Sequence, residues 1–246
     1  MNDNSILEIF IYSLITAVAT GLGVLPFLFF KKIKKKWLGW AGAMASGIML
    51  AASFRLINEG IDYSLSKTII GVFIGLVFIL LSQKWLSTKE NLHVGKLSGA
   101  NAKKALMIIG VMTIHSFAEG VGIGVSFGGK EGFGIFMSTA IAIHNIPEGL
   151  AISLILIPRG MKILKASGWS IVSSLPQPLV AVPAFIFVSF FKPFLPIGLG
   201  LAAGAMIWMV FSDLLPEALE KAKKENVATI ATVSIIMMML FQVLIE

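Results

Sequence analysis

Eight times along the chain a long apolar run passes with at most one Asp, Glu, Lys or Arg in it: Ser5 to Phe30, Trp37 to Leu56, Thr68 to Leu86, Ala105 to Phe127, Phe133 to Ile157, Ser167 to Phe191, Phe194 to Leu215 and Val227 to Ile245. A hydrocarbon layer about 30 Å thick is crossed by about 20 residues of helix. Inside it every backbone N–H and C=O must find a partner within the protein, which leaves helices or closed barrels. Runs of this length predict helices. The composition agrees, since 57% of the residues are apolar and 13% charged, against about 25% charged in a soluble domain. The expected fold is therefore all-α: one polytopic transmembrane domain over 1–246 with eight helices and no sizeable soluble part. The N-terminus has no basic region and its first run is too long for a signal-peptide core, so it is expected to stay as the first helix. The prolines at 176, 178 and 183 and the Gly39 to Gly47 stretch are the least helix-like parts.

The basic residues are distributed by side. Sixteen of the twenty Lys and Arg fall in the connections after spans one, three, five and seven, among them Lys31 to Lys36, Lys103, Lys104, Arg159 and Lys221. The other connections carry Lys67, Lys130 and Lys192, and Arg55 sits in span two near its outer end. By the positive-inside rule the Lys-rich loops are cytoplasmic and both termini lie outside. The net charge of +7 thus sets orientation and does not indicate nucleic acid. The polar stretch of about 87–104, with the lone loop histidine His93, is expected to be a cytoplasmic linker. Cysteine is absent, which excludes disulfides, thiolate metal sites and cysteine nucleophiles.

Two of the three histidines lie inside spans four and five. Each opens the same pattern, His115-Ser-Phe-Ala-Glu119-Gly120 and His144-Asn-Ile-Pro-Glu148-Gly149. Residues at i and i+4 share one helix face. At 1.5 Å per residue His115 is roughly 16 Å from one end of its span and His144 roughly 15 Å from the opposite end of its own. Antiparallel spans therefore bring both imidazoles and both carboxylates to the midplane. A deep carboxylate costs at least about 2.5 kcal/mol and marks a function or a specific partner. No Lys or Arg is expected at that depth, so the partner expected is a cation. Two imidazoles and two carboxylates suit a divalent metal, zinc above all, with iron, manganese, cobalt and cadmium as chemically similar alternatives. The competing reading is that each pair only joins helices together. Gly120, Gly122 and Gly124, with Gly149, Ala151 and Ser153, allow close helix approach, and Pro147 leaves the carbonyl of Ile143 without its helical donor.

These motifs, together with S-S-L-P-Q-P in span six and A-A-G-A-M-I-W-M-V-F-S-D-L-L-P-E in span seven, resemble the ZIP family of divalent-metal transporters, especially its bacterial and plant zinc-transporter branch. The resemblance runs over essentially the full chain. It implies a 3+2+3 arrangement of the eight helices, with the metal site on helices four and five and import toward the cytoplasm. It also implies an integral protein of the bacterial inner membrane. By position the metal ligands are His115, Glu119, His144 and Glu148. Some relatives hold a second metal at the places of Ser116, Asn145 and Gln177. Here those residues are neutral, so the second position is expected to be weak.

Aligning Ser46 to Glu59 with Gly204 to Glu217 superposes Leu56 on Leu214 and Glu59 on Glu217. Spans two and seven run oppositely, which fits an inverted repeat of helices 1–3 and 6–8 around helices 4–5. It places Glu59 and Asp62 near the outer mouth and Asp213 and Glu217 near the inner one. The function expected is transport of a divalent cation, with no resident cofactor and no chemical catalysis. The partners expected are divalent cations, the lipid bilayer and, as an open alternative to a monomer, a second copy of the chain. The alternative class is an intramembrane zinc hydrolase. It requires an open coordination position and a base that is not a ligand, and the H-E-x-x-H motif is absent.

Overall fold

A computed structural model of the chain describes residues 3–29, 34–88, 93–94, 97–128 and 132–245. The side chain of His144 lies outside that description, although its backbone belongs to a helix. Helix α1 (Asp3–Thr20) passes through a 3-10 turn at Gly21–Val24 into α2 (Leu25–Phe29), and α3 spans Lys35–Ser87. A two-residue hairpin follows, β1 (His93–Val94) against β2 (Leu97–Ser98), antiparallel with Val94 opposite Leu97. The polar stretch expected at 87–104 therefore includes the start of α4 (Gly99–Phe127). The hairpin's two apolar residues, Val94 and Leu97, are buried.

The rest of the chain is α5 (Phe133–Leu156), α6 (Ile163–Ser174), α7 (Pro176–Ile186), α8 (Val188–Phe191), α9 (Leu195–Met209), α10 (Leu215–Lys221) and α11 (Lys224–Ile245). Prolines punctuate it where their missing N–H is harmless: Pro176 opens α7 and Pro196 the first turn of α9. Interior Pro147 and Pro183 are carried within α5 and α7, as membrane helices tolerate when neighbours hold the freed carbonyls. Between α9 and α10 the chain widens into a π-helical turn at Val210–Leu214.

Among the described residues seven helical stretches are long and apolar enough to cross a membrane, so the chain is an integral, polytopic, all-helical membrane protein. One of the seven is exceptional. At 53 residues α3 would be about 80 Å long if straight, more than twice the hydrocarbon thickness, and its backbone leaves the helical region at Ser64 (φ −170°, ψ 110°). The neighbours of α3 reveal its path. In its second arm Gly71 abuts the carbonyl of Ile197 and Gly75 that of Leu201, so this arm runs parallel to α9. In its first arm Gly39 lies against Ala222 and Gly42 against Ala218, so this arm runs antiparallel to α10.

Helix α4 forms the centre, packed against α5, α6, α7 and α9. Its residues from Ala118 to Ser126 are buried without interruption. Outer elements present apolar side chains outward, such as Phe73 and Leu81 of α3 and Met237 and Val243 of α11, the surface expected against lipid tails.

Candidate metal centre

Three of the four residues singled out by the repeated pattern converge. His115 and Glu119 stand one turn apart on α4, and Glu148 reaches in from α5. His115 Nε2 lies 2.7 Å from Glu148 Oε1 and 3.4 Å from Glu119 Oε1, with the three side chains no more than 4% exposed. One donor atom from each lies within 4.8 Å of the others. The fourth, His144, is on α5 one turn before Glu148, its side chain outside the described residues.

Close backbone approach makes this convergence possible. A Cβ on Gly120 would lie 2.8 Å from the carbonyl of Gln177, and one on Gly149 would lie 1.7 Å from that of Thr20. Hydrogen in place of a side chain therefore lets α7 reach α4 beside Glu119, and lets the end of α1 reach α5 beside Glu148. Glycine and other small residues permit such contacts in membrane interfaces.

Polar groups from α1, α6 and α7 surround the cluster. Gln177 Nε2 donates to Glu119 Oε2 at 2.5 Å. Asn145 Nδ2 donates to the Thr16 carbonyl at 2.8 Å and to Gln177 Oε1 at 3.1 Å. Ser116 Oγ donates to Ser174 Oγ at 3.4 Å, and Ser174 in turn lies 2.8 Å from Thr20 Oγ1. Of the positions expected for a weak second metal, Ser116 and Gln177 are thus engaged with protein groups, and Asn145 through its Nδ2 only, its buried Oδ1 accepting no hydrogen bond among the described residues. Sequence reasoning missed Thr16, Thr20 and Ser174. Their signal was faint: Ser13, Thr16 and Thr20 recur at helical spacing along an apolar first span, and all are buried.

A cavity of about 100 Å3 joins His115 and Glu119 to Arg55 and Glu59 of α3, its remaining wall being mainly apolar. Asp62 is exposed near the Ser64 bend and does not line it. Glu217, the acid aligned with Glu59 in the sequence, is surrounded by cationic side chains. Glu217 Oε2 accepts from Arg159 Nη2 at 2.7 Å and Glu217 Oε1 from Lys221 Nζ at 2.6 Å, while Lys104 Nζ lies 3.7 Å from Glu217 and 4.0 Å from Asp213. The space beside Glu217 and Lys221 measures only about 10 Å3.

An imidazole nitrogen and two carboxylates within this distance make a hard-to-borderline donor set, and the carboxylates balance the charge of one divalent cation. Zinc takes such nitrogen and oxygen ligands, usually four. Without a cation or a proton, two carboxylates this close would repel strongly at low dielectric.

Residues 86–242 match a family model described as "ZIP Zinc transporter". The chain is 45% identical over 248 residues to the Arabidopsis thaliana protein named "Putative zinc transporter At3g08650", covering all of this chain and 40% of that protein. It is 34% identical over 238 residues to zinc transporter ZIPB of Bordetella bronchiseptica, covering 91% of this chain and 76% of the other. It is 28% identical over 220 residues to zinc transporter GufA of Myxococcus xanthus, covering 84% and 86%. The chain therefore spans well under half of the plant relative and most of the two bacterial ones.

Proposed function

The chain belongs to the ZIP family of zinc transporters, and from that premise we propose that it carries zinc across a membrane toward the cytoplasm through the site at His115, Glu119, His144 and Glu148. The observation that carries the reading is the buried convergence of one imidazole and two carboxylates from α4 and α5. Members of that family are transporters and not enzymes, and in this reading both deep carboxylates serve as ligands. Iron, manganese, cobalt and cadmium are further candidates on the same donor chemistry.

In this reading eight helices cross the bilayer, as a 3+2+3 set with α4 and α5 in the middle. The count of eight is supported by the opposite directions of the two arms of α3, each matched in register to a different part of the α9 to α10 segment. Both termini are outside, supported by the excess of Lys and Arg in the connections on the other side. The cavity from Glu59 to His115 is the entry path. Arg159, Lys104 and Lys221 around Glu217 close the exit, and the two ends alternate as the repeats move against the central pair. Ser116, Asn145 and Gln177 bind no strong second cation in this scheme. The test is zinc entry into sealed vesicles containing the purified protein, followed with an enclosed zinc-sensitive dye. Uptake by the wild type and its loss in Glu148→Ala are expected. Equal entry into protein-free vesicles, or unchanged uptake by folded Glu148→Ala, would overturn the reading.

A further inference from the structure

Glu119 is not held by its cation-binding partners alone. Its Oε2 faces Gln177, and which end of that amide faces it follows from a chain of hydrogen bonds beginning on α1. The carbonyl of Thr16 can only accept, so the Asn145 atom 2.8 Å away is the amide nitrogen. That same nitrogen lies 3.1 Å from the Gln177 side chain, and a donor there requires the oxygen of Gln177 to face it. The nitrogen of Gln177 is consequently turned to Glu119, 2.5 Å from Oε2. Thr16 Oγ1 lies 2.6 Å from Gln177 Oε1 and 2.6 Å from the Ser13 carbonyl, and its single proton serves one of these at a time, so Asn145 sets the polarity. Thr16, Asn145 and Gln177 are all buried, which removes competing water and leaves each group dependent on this order.

Resting on the metal-site reading above, we infer that Asn145 and Gln177 are positioning residues: Asn145 turns the Gln177 amide so that it donates to Glu119 Oε2, which leaves Glu119 Oε1 on the His115 side for the transported cation. Neither residue needs to touch the cation. One oxygen of Glu119 is committed to the protein, so the carboxylate binds through a single oxygen, and the amide N–H occupies the side of Glu119 where another cation would otherwise approach. The relay connects the backbone of α1 to a ligand on α4 through α5 and α7, so the ligand geometry depends on how these four helices are docked.

The experiment measures zinc affinity and the visible absorption of bound Co2+ for purified, detergent-solubilised wild type, Gln177→Leu, Asn145→Leu and the double variant, with Gln177→Met as a same-length variant lacking the amide. Partners that orient a metal ligand are typically worth 10–100-fold in affinity. Gln177→Leu or Gln177→Met, whichever is recovered as a monodisperse species, should lose zinc affinity by about that range and alter the Co2+ band, because Glu119 is freed to rotate. Asn145 acts through Gln177, so the double variant should be no weaker than the Gln177 variant alone, a non-additivity expected of a shared network. Wild-type affinity and an unaltered Co2+ spectrum in the Gln177 variants, or strictly additive losses, would overturn the relay. Glu148→Ala separates the two levels: if it retains wild-type zinc binding the site itself is misassigned, whereas if only the relay is wrong it loses binding while the Gln177 variants keep it.

Discussion

Glu119 and Glu148 occupy equivalent places in the repeated pattern yet are held differently. Glu119 receives the Gln177 amide, whereas Glu148 lies against His115 at 2.7 Å. On the proposed reading both carboxylates are ligands, so Glu148→Ala is expected to weaken zinc binding beyond the roughly 100-fold upper range for an orienting partner, checked by equilibrium titration. A second residue-scale prediction concerns backbone approach. Gly149→Ala would put a methyl 1.7 Å from the Thr20 carbonyl, and overpacking of this kind costs about 1–3 kcal/mol or more, so its thermal midpoint in detergent should fall clearly. Gly110, on the same α4 as His115 but exposed and with nothing near its Cβ position, should accept Ala with no loss. The convergence of His115, Glu119 and Glu148 was legible in the sequence because i, i+4 spacing and position along a span depend only on helix geometry. The donor roles of Asn145 and Gln177 were not, because an amide offers both a donor and an acceptor and its neighbours choose between them.

At the scale of elements, the ends of α5 and α10 are joined through a charged side chain. Arg159, just beyond α5, donates to its own Ile155 carbonyl at 2.8 Å and to Glu217 of α10 at 2.7 Å. Both side chains are 13% exposed, so the pair is better shielded than a surface ion pair, whose median worth is about 0–1 kcal/mol. Hydrogen bonds to charged groups contribute about 1.5–3 kcal/mol. Arg159→Ala and Glu217→Ala should each lower thermal stability, and the double variant should lose less than the sum, which a double-mutant cycle by thermal unfolding measures. Sequence reading placed Glu217 near the inner mouth without a partner. The structure gives it Arg159 and Lys221 as partners. Arg159 had entered the sequence argument only as an orientation charge, since 58 residues separate it from Glu217 and no local pattern links them.

For the whole molecule the decisive element is α3. If its two arms are separate spans, residues at the Ser64 bend emerge on the side opposite the α10 to α11 junction. The chain lacks cysteine, so single cysteines report without background. Ser66→Cys and Lys223→Cys, both at exposed positions, should react with a membrane-impermeant maleimide from opposite sides of an oriented membrane, Ser66→Cys from outside. Labelling of both from one side would remove the second crossing and with it the inverted repeat.

Hydropathy and periodicity are local properties, and the features they govern were determined by the sequence itself: helices long enough to cross a bilayer, the i, i+4 placement of His115 with Glu119 and of His144 with Glu148 along their helices, and the concentration of basic residues in alternate connections. The interruption between the second and third runs was marked by Glu59, Asp62 and Lys67, but the exact place of the bend at Ser64 was not, because serine neither breaks a helix as proline does nor frees the backbone as glycine does. Tertiary structure alone decided which groups satisfy the buried amides and carboxylates. Thr16 meets Gln177 across 161 residues and Asn145 meets Thr16 across 129. Such pairings depend on how closely α1, α4, α5 and α7 dock, and burial then makes a hydrogen bond costly to lose.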